Sequence, residues 1–176
     1  MFKKVVVDRL GGYNELLRYS QDYELWLRMA KYYEVSNLTQ ALYKLRFHEE
    51  AVSLKHVDES ALYHLLALRL ARNNLDHKML ESISNRGIKG LYDYLNRNER
   101  ALFHNLVANI CVKGNDIKRA RKEYKVAFRL NPFNIRNSMN LILSYLGENT
   151  LKESHNIYAA LKNFFIYLRN RTSKPL

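Results

Sequence analysis

Residues 101–134, ALFHNLVANICVKGNDIKRARKEYKVAFRLNPFN, decide the fold. Within them Ala120, Tyr124, Ala127 and Leu130 set a small, aromatic, small, apolar order, Pro132 and Asn134 follow, and Gly114 marks a turn between two helical runs. Small residues let two antiparallel helices approach closely, the aromatic ring fills the groove between them, and Pro132 stops the second helix. One repeat of about 34 residues later, Leu141, Tyr145, Gly147, Ser154, Tyr158 and Leu161 occupy the equivalent sites. A second, weaker copy is therefore expected over about 135–168.

This spacing resembles the tetratricopeptide family, which implies an array of helical hairpins offering a surface to a peptide or another subunit. Working outward, apolar periodicity predicts helices over roughly 58–73, 76–85, 88–95, 98–113, 116–129, 135–146 and 150–169. The character of the chain changes near residue 56, so two parts are expected, 1–56 and 57–176. The fold class is mainly α: a short α/β piece followed by a helical-hairpin array.

In the first part, Val5-Val6-Val7 reads as the end of a strand and Gly11-Gly12-Tyr13-Asn14-Glu15 as a turn or loop. From Ser20, a candidate N-cap, the residues Asp22, Leu25, Trp26, Met29, Ala30 and Tyr33 follow one helix face. Asp22 is thus expected within an otherwise apolar stripe, and Trp26 in the core. Residues 41–48 alternate, with Tyr43, Leu45 and Phe47 opposite Lys44, Arg46 and His48, as in a half-buried strand with a basic side.

Composition narrows the function classes. The chain is 47% apolar with six Gly and two Pro, which argues for a packed protein rather than a disordered one. Its net charge of +12 invites acidic partners. Residues 1–56 hold nine basic and seven acidic side chains, so the excess sits in the second part. There Lys113, Lys118, Arg119, Arg121, Lys122, Lys125 and Arg129 cluster along one helix pair, a pattern that ordinarily marks a solvated repeat face. Cys111 is the single cysteine and lies in an apolar helical run, which points to a small core residue in a reducing compartment. The first residues are too short in apolar length for a signal peptide, and no run approaches the ~20 apolar residues of a membrane span.

Three blocks carry a second likeness: Arg9-Leu10-Gly11-Gly12-Tyr13-Asn14-Glu15, Ser20-Gln21-Asp22-Tyr23-Glu24-Leu25-Trp26-Leu27-Arg28, and Leu42-Tyr43 with Arg46-Phe47-His48 through Val52-Ser53. In order and spacing they resemble the end of the catalytic domain of family-2 glycosyltransferases. By that resemblance Gly12, Tyr13 and Glu15 belong to a loop beside the acceptor, and Asp22 is the base that takes the acceptor's proton. Arg28 would hold that loop or meet phosphate, and Arg46 and His48 would face the leaving diphosphate or its metal. An inverting transfer needs such a base, because a hydroxyl attacks the anomeric carbon as the nucleoside diphosphate departs. One departure is Gln21, where the family commonly has Glu.

The family's nucleotide-binding half, with its Asp-x-Asp motif, has no counterpart here, and neither Gly-x-Gly-x-x-Gly nor zinc spacings occur. Met1 sits shortly before the acceptor loop, implying a shortened gene, an isolated piece or a split enzyme, with no catalysis expected from this chain alone. No cofactor or metal is expected within the chain, whereas the complete enzyme would use Mg or Mn, a nucleotide sugar and a glycan or lipid-linked acceptor. The implied location is cytoplasmic, with peripheral contact at the inner face of a membrane. Competing readings are an interaction module built on the repeats, and a basic domain for nucleic acid or a membrane surface, nucleic acid being the less favoured partner.

Overall fold

The computed structural model describes residues 3–36, 42 and 52–146, and is helical throughout its regular structure. The order is α1 (Lys4–Arg9), α2 (Gln21–Tyr32), α3 (Val52–Lys55), α4 (Val57–Ala71), α5 (His77–Arg86), a 3-10 segment (Gly87–Tyr94), α6 (Arg97–Lys113), α7 (Ile117–Leu130) and α8 (Ile135–Leu146).

The α6–α7 hairpin forms for the reasons its sequence announces. Asn96 caps α6 by accepting from the Glu99 amide, while Glu99 accepts from the Asn96 amide, which satisfies two end donors at once. Asp116 caps α7 by accepting from the Arg119 amide. Between the two helices, Gly114 lies so close to α3 that an added Cβ would stand 2.7 Å from Leu54 Cδ2. Ala120, Tyr124 and Ala127 are wholly buried, and the Tyr124 hydroxyl donates to Asn109 Oδ1 across the hairpin at 2.8 Å. Helix α7 ends at Leu130, two residues before Pro132.

Helix α4 lies at the centre, packing on α2, α6 and the 3-10 segment. Its Leu62, Leu65 and Leu66 share one core with Met79, Leu91, Val107 and Tyr124, and Leu17 joins that core from the amino-terminal loop. A polar cross-link runs through it. Arg69 donates from Nε and Nη2 to the two Glu99 carboxylate oxygens at 3.0 and 2.6 Å, and from Nη2 to the Tyr94 carbonyl at 2.8 Å.

Several expectations need correction. Val5-Val6-Val7 lie in α1 and not at a strand end: the Leu10 amide donates to the Val6 and Val7 carbonyls, and Val5 is exposed. β-Branched residues favour strands through packing on a pleated surface, and no strand occurs among the described residues. The α/β part of the expected fold class is therefore not found there. In place of the α-helix expected over 88–95 stands the 3-10 segment Gly87–Tyr94. The strand expected over 41–48 lies outside the described residues except for Leu42, which is exposed and in neither helix nor strand. The second repeat copy, over 135–168, is described only through α8.

Helix α2 is turned relative to the expected face. Glu24, Leu25 and Met29 are its buried residues, whereas Trp26 is 53% exposed. The buried stripe includes a carboxylate because Arg28, one turn later, neutralises it. Ser20 holds the N-cap position without capping: its φ is +62° and its side chain accepts no amide.

Candidate functional site

The loop before α2 is shaped by its glycines. Gly11 and Gly12 have φ values of +78° and +74°, a region that side-chain-bearing L-residues avoid at a cost of about 1–2 kcal/mol. An added Cβ would meet nothing within 4 Å at either position, so conformation and not space demands glycine. Asn14 then tightens the turn, its Oδ1 accepting from the Leu16 amide at 3.0 Å and its carbonyl from the Leu17 amide.

Arg28 fastens this loop to the helix. Its Nε and Nη2 donate to Glu24 Oε1 and Oε2 at 2.7 and 2.8 Å, Nη2 donates to the Gly12 carbonyl at 2.6 Å, and Nη1 donates to the Leu10 carbonyl. The planar fork of a guanidinium suits this, since two edges can be used together. Glu24 is only 2% exposed, so the pair is an internal brace. Arg28 thus bonds both the loop carbonyls and the helix carboxylate. Glu24 was missed by sequence reasoning, although its i, i+4 spacing to Arg28 was a usable signal.

The brace sets Tyr13, Asn14, Glu15, Leu17, Gln21 and Asp22 around one cleft of about 360 Å³. Asp22, expected in an apolar stripe, is instead exposed in the first turn of α2. Its Oδ1 accepts from the Tyr23 amide at 2.7 Å, and Oδ2 has no protein partner among the described residues. Trp26, one turn further along the same side of the helix, is open to solvent as well. Tyr13 and Glu15 are exposed at the cleft and Gly12 is half-buried behind them.

Helix α2 is held on α4 by aromatic contacts. Tyr23 stacks on His64 with ring centroids 4.1 Å apart and an interplanar angle of 15°. Tyr19 meets Tyr63 edge-on at 5.4 Å and stacks on His56 at 5.7 Å. Burial holds the His64 imidazole below its usual pKa and pushes the Tyr23 hydroxyl up.

No protein-family model, curated protein or solved structure matches this chain. The chemistry therefore has to be read from the residues themselves. Arg46 and His48 lie outside the described residues. Among the described residues no three His, Cys, Asp or Glu side chains gather as a metal site, and no helix is long and apolar enough to cross a membrane. Cys111 is buried, and that burial pushes its thiol up to about 11, far from the range of a reactive thiolate.

A second concavity, of about 350 Å³, opens on the α6 side of the hairpin toward α8. Asn98, Asn105, Asn109, Asn131, Asn134 and Asn137 line it with Arg136 and no acidic residue. Asn105 Nδ2 donates to Asn137 Oδ1, Asn140 Nδ2 donates to Asn105 Oδ1 at 3.3 Å, and Asn137 Nδ2 donates to the Ala127 and Asn131 carbonyls at 3.1 and 3.0 Å. These buried amides satisfy one another, as buried polar groups must.

Proposed function

We propose that the amino-terminal part of this chain is the acceptor side of an inverting, nucleotide-sugar-dependent glycosyltransferase of family 2, with Asp22 as the base. The observation that carries the reading is the braced cleft. A glycine-formed loop, locked by Arg28 and Glu24, stands beside a carboxylate with one oxygen open among the described residues. In the reaction the acceptor hydroxyl loses its proton to Asp22 Oδ2, its oxygen forms the new bond to the anomeric carbon, and the nucleoside diphosphate leaves with the bonding pair. Tyr13 and Glu15 would contact the acceptor, and the exposed Trp26 ring offers a face against which a pyranose can stack.

The donor site lies outside these residues in this reading, because no Asp-x-Asp is present to hold a diphosphate and its metal. Among the described residues no three His, Cys, Asp or Glu side chains gather, and the step above uses this chain's carboxylate alone. Isolation of the protein from its own cells under native conditions tests the reading. The expected result is that a nucleotide-binding segment accompanies it and that nucleoside diphosphate is released from a nucleotide sugar. Failure of any nucleotide sugar to turn over would remove the proposal.

A second reading, a tetratricopeptide-like interaction module, is favoured by one observation, the asparagine-lined concavity beside α6. Primary amides both donate and accept, matching the alternation of a peptide backbone. Capture of a defined protein partner that Asn109→Ala weakens, with no nucleotide-sugar turnover, would make this reading the better one.

A further inference from the structure

Helix α7 exposes Lys118, Lys122, Lys125 and Arg129. Their spacing of i, i+4, i+7 and i+11 sets them in one stripe about 16 Å long. The opposite side buries Ala120, Tyr124 and Ala127. The helix's only acidic residue, Glu123, is turned onto His104 Nδ1 at 2.6 Å, and Asp58 is taken by Arg119 at 2.8 and 2.9 Å. Nothing acidic on α7 neutralises the stripe.

Helix α8 repeats the same spacing with different chemistry. Ile135, Met139, Ile142 and Leu146 are 75, 53, 60 and 63% exposed, whereas Asn137, Asn140 and Ser144 face inward. Tyr145 joins the two surfaces: Lys125 Nζ stands 5.5 Å from its ring centroid and Arg121 Cζ 4.5 Å. Arg121 also donates to the Ser144 carbonyl from Nε at 3.1 Å and from Nη2 at 2.5 Å, which fastens the end of α8 to α7. A cationic stripe and an aliphatic stripe thus run along neighbouring helices and meet at one aromatic residue.

We propose that this α7–α8 face docks on an anionic phospholipid surface, the α7 cations resting on headgroup phosphates and the α8 side chains entering the boundary with the acyl chains. Cations beside exposed aliphatic and aromatic groups are the signature of interfacial binding. Nucleic acid would engage the cations alone and leave four aliphatic side chains in water. A second copy would bring like charge to like charge, given a net +12. The chain's own residues 147–176, expected to pair with α8 in the second repeat copy, carry five basic and two acidic side chains, so they bring no countercharge to the α7 stripe. This inference does not rest on the transferase reading.

The test is co-sedimentation of the whole chain with phosphatidylcholine vesicles and with vesicles that also contain phosphatidylglycerol. Binding is expected to the second kind only, and to fall when salt is raised from about 0.1 to 1 M, which shortens the screening length from about 10 to 3 Å. Each surface cation is worth about fivefold in partitioning. Lys118→Gln, Lys122→Gln and Lys125→Gln together should therefore weaken binding about 100-fold with helical circular dichroism unchanged. Met139→Ser with Ile142→Ser should weaken it about tenfold or more, again with the fold intact. Equal binding to neutral vesicles, or none to anionic ones, overturns the proposal. So does tight binding to nucleic acid that the serine variant leaves unchanged. A serine variant that fails to fold, or that turns a dimer into a monomer, shows the stripe to be covered by protein and overturns it equally.

Discussion

Replacing Arg28 by Ala should loosen the loop before α2 and destabilise the protein through a single stranded charge. The guanidinium makes four hydrogen bonds, two to Glu24 and one each to the Leu10 and Gly12 carbonyls. Glu24 is 2% exposed, so its carboxylate would be left buried without a counter-ion, which costs about 3–5 kcal/mol. For a chain of this size each kcal/mol moves the melting temperature by about 2–4 °C, so a fall of about 6–20 °C is expected. Arg28→Lys keeps the charge but loses the planar fork, and should fall between the two. Glu24→Leu with Arg28→Met removes the stranded charge and should recover most of the stability. It cannot restore donors to the Leu10 and Gly12 carbonyls, so amide exchange over residues 10–17 should stay fast. Thermal melting and hydrogen exchange on the three variants separate these effects. An Arg28→Ala protein melting within about 1 °C of the parent, with loop exchange unchanged, would refute the brace.

Gly12→Ala should cost about 1–2 kcal/mol, measured as a shift in denaturant midpoint, because φ is +74° although the space is open; Gly12→Asn should cost less. Acid should act in two windows. His64 is held below 6.5 by burial, so the unfolded chain binds its proton first and stability falls as pH drops below about 6.5; His64→Phe should remove that upper phase. Burial raises the Glu99 carboxyl, but the Arg69 hydrogen bond, the Asn96 amide and the Arg69 and Arg72 charges outweigh it and hold the pKa below 4.5. Its contribution is therefore present above 4.5 and lost as pH falls further, a second phase that Glu99→Gln should abolish in an acid titration followed by circular dichroism.

Helices α6, α7 and α8 were legible in the sequence because their signals are local and mutually consistent. Gly114, Asp116 and Pro132 bound α7, and the small-aromatic-small order of Ala120, Tyr124 and Ala127 is the order that is buried. Helix α2 was legible in position but not in rotation. A reading by hydrophobicity assigns Trp26 inward and Glu24 outward, whereas Glu24 is drawn inside by Arg28, which itself donates to loop carbonyls lying 16 and 18 residues away. The i, i+4 half of this brace was a usable signal, but its non-local half, to the loop carbonyls, leaves no periodic trace. Val5-Val6-Val7 misled for a related reason, since strand preference depends on neighbouring strands that the described residues do not supply. Of the candidate site, Tyr13, Glu15 and Asp22 meet at one cleft, Gly12 and Arg28 build the loop behind it, and Arg46 and His48 fall outside the described residues.

The central claim, that Asp22 is the base of a sugar transfer, is tested most directly by turnover of a nucleotide sugar by the natively isolated protein and by its Asp22→Asn variant. Loss of a general base lowers rate by about 10²–10⁴-fold. The account predicts a fall of that size in kcat, with donor KM and melting temperature little changed. An Asp22→Asn protein with the parental kcat would contradict it.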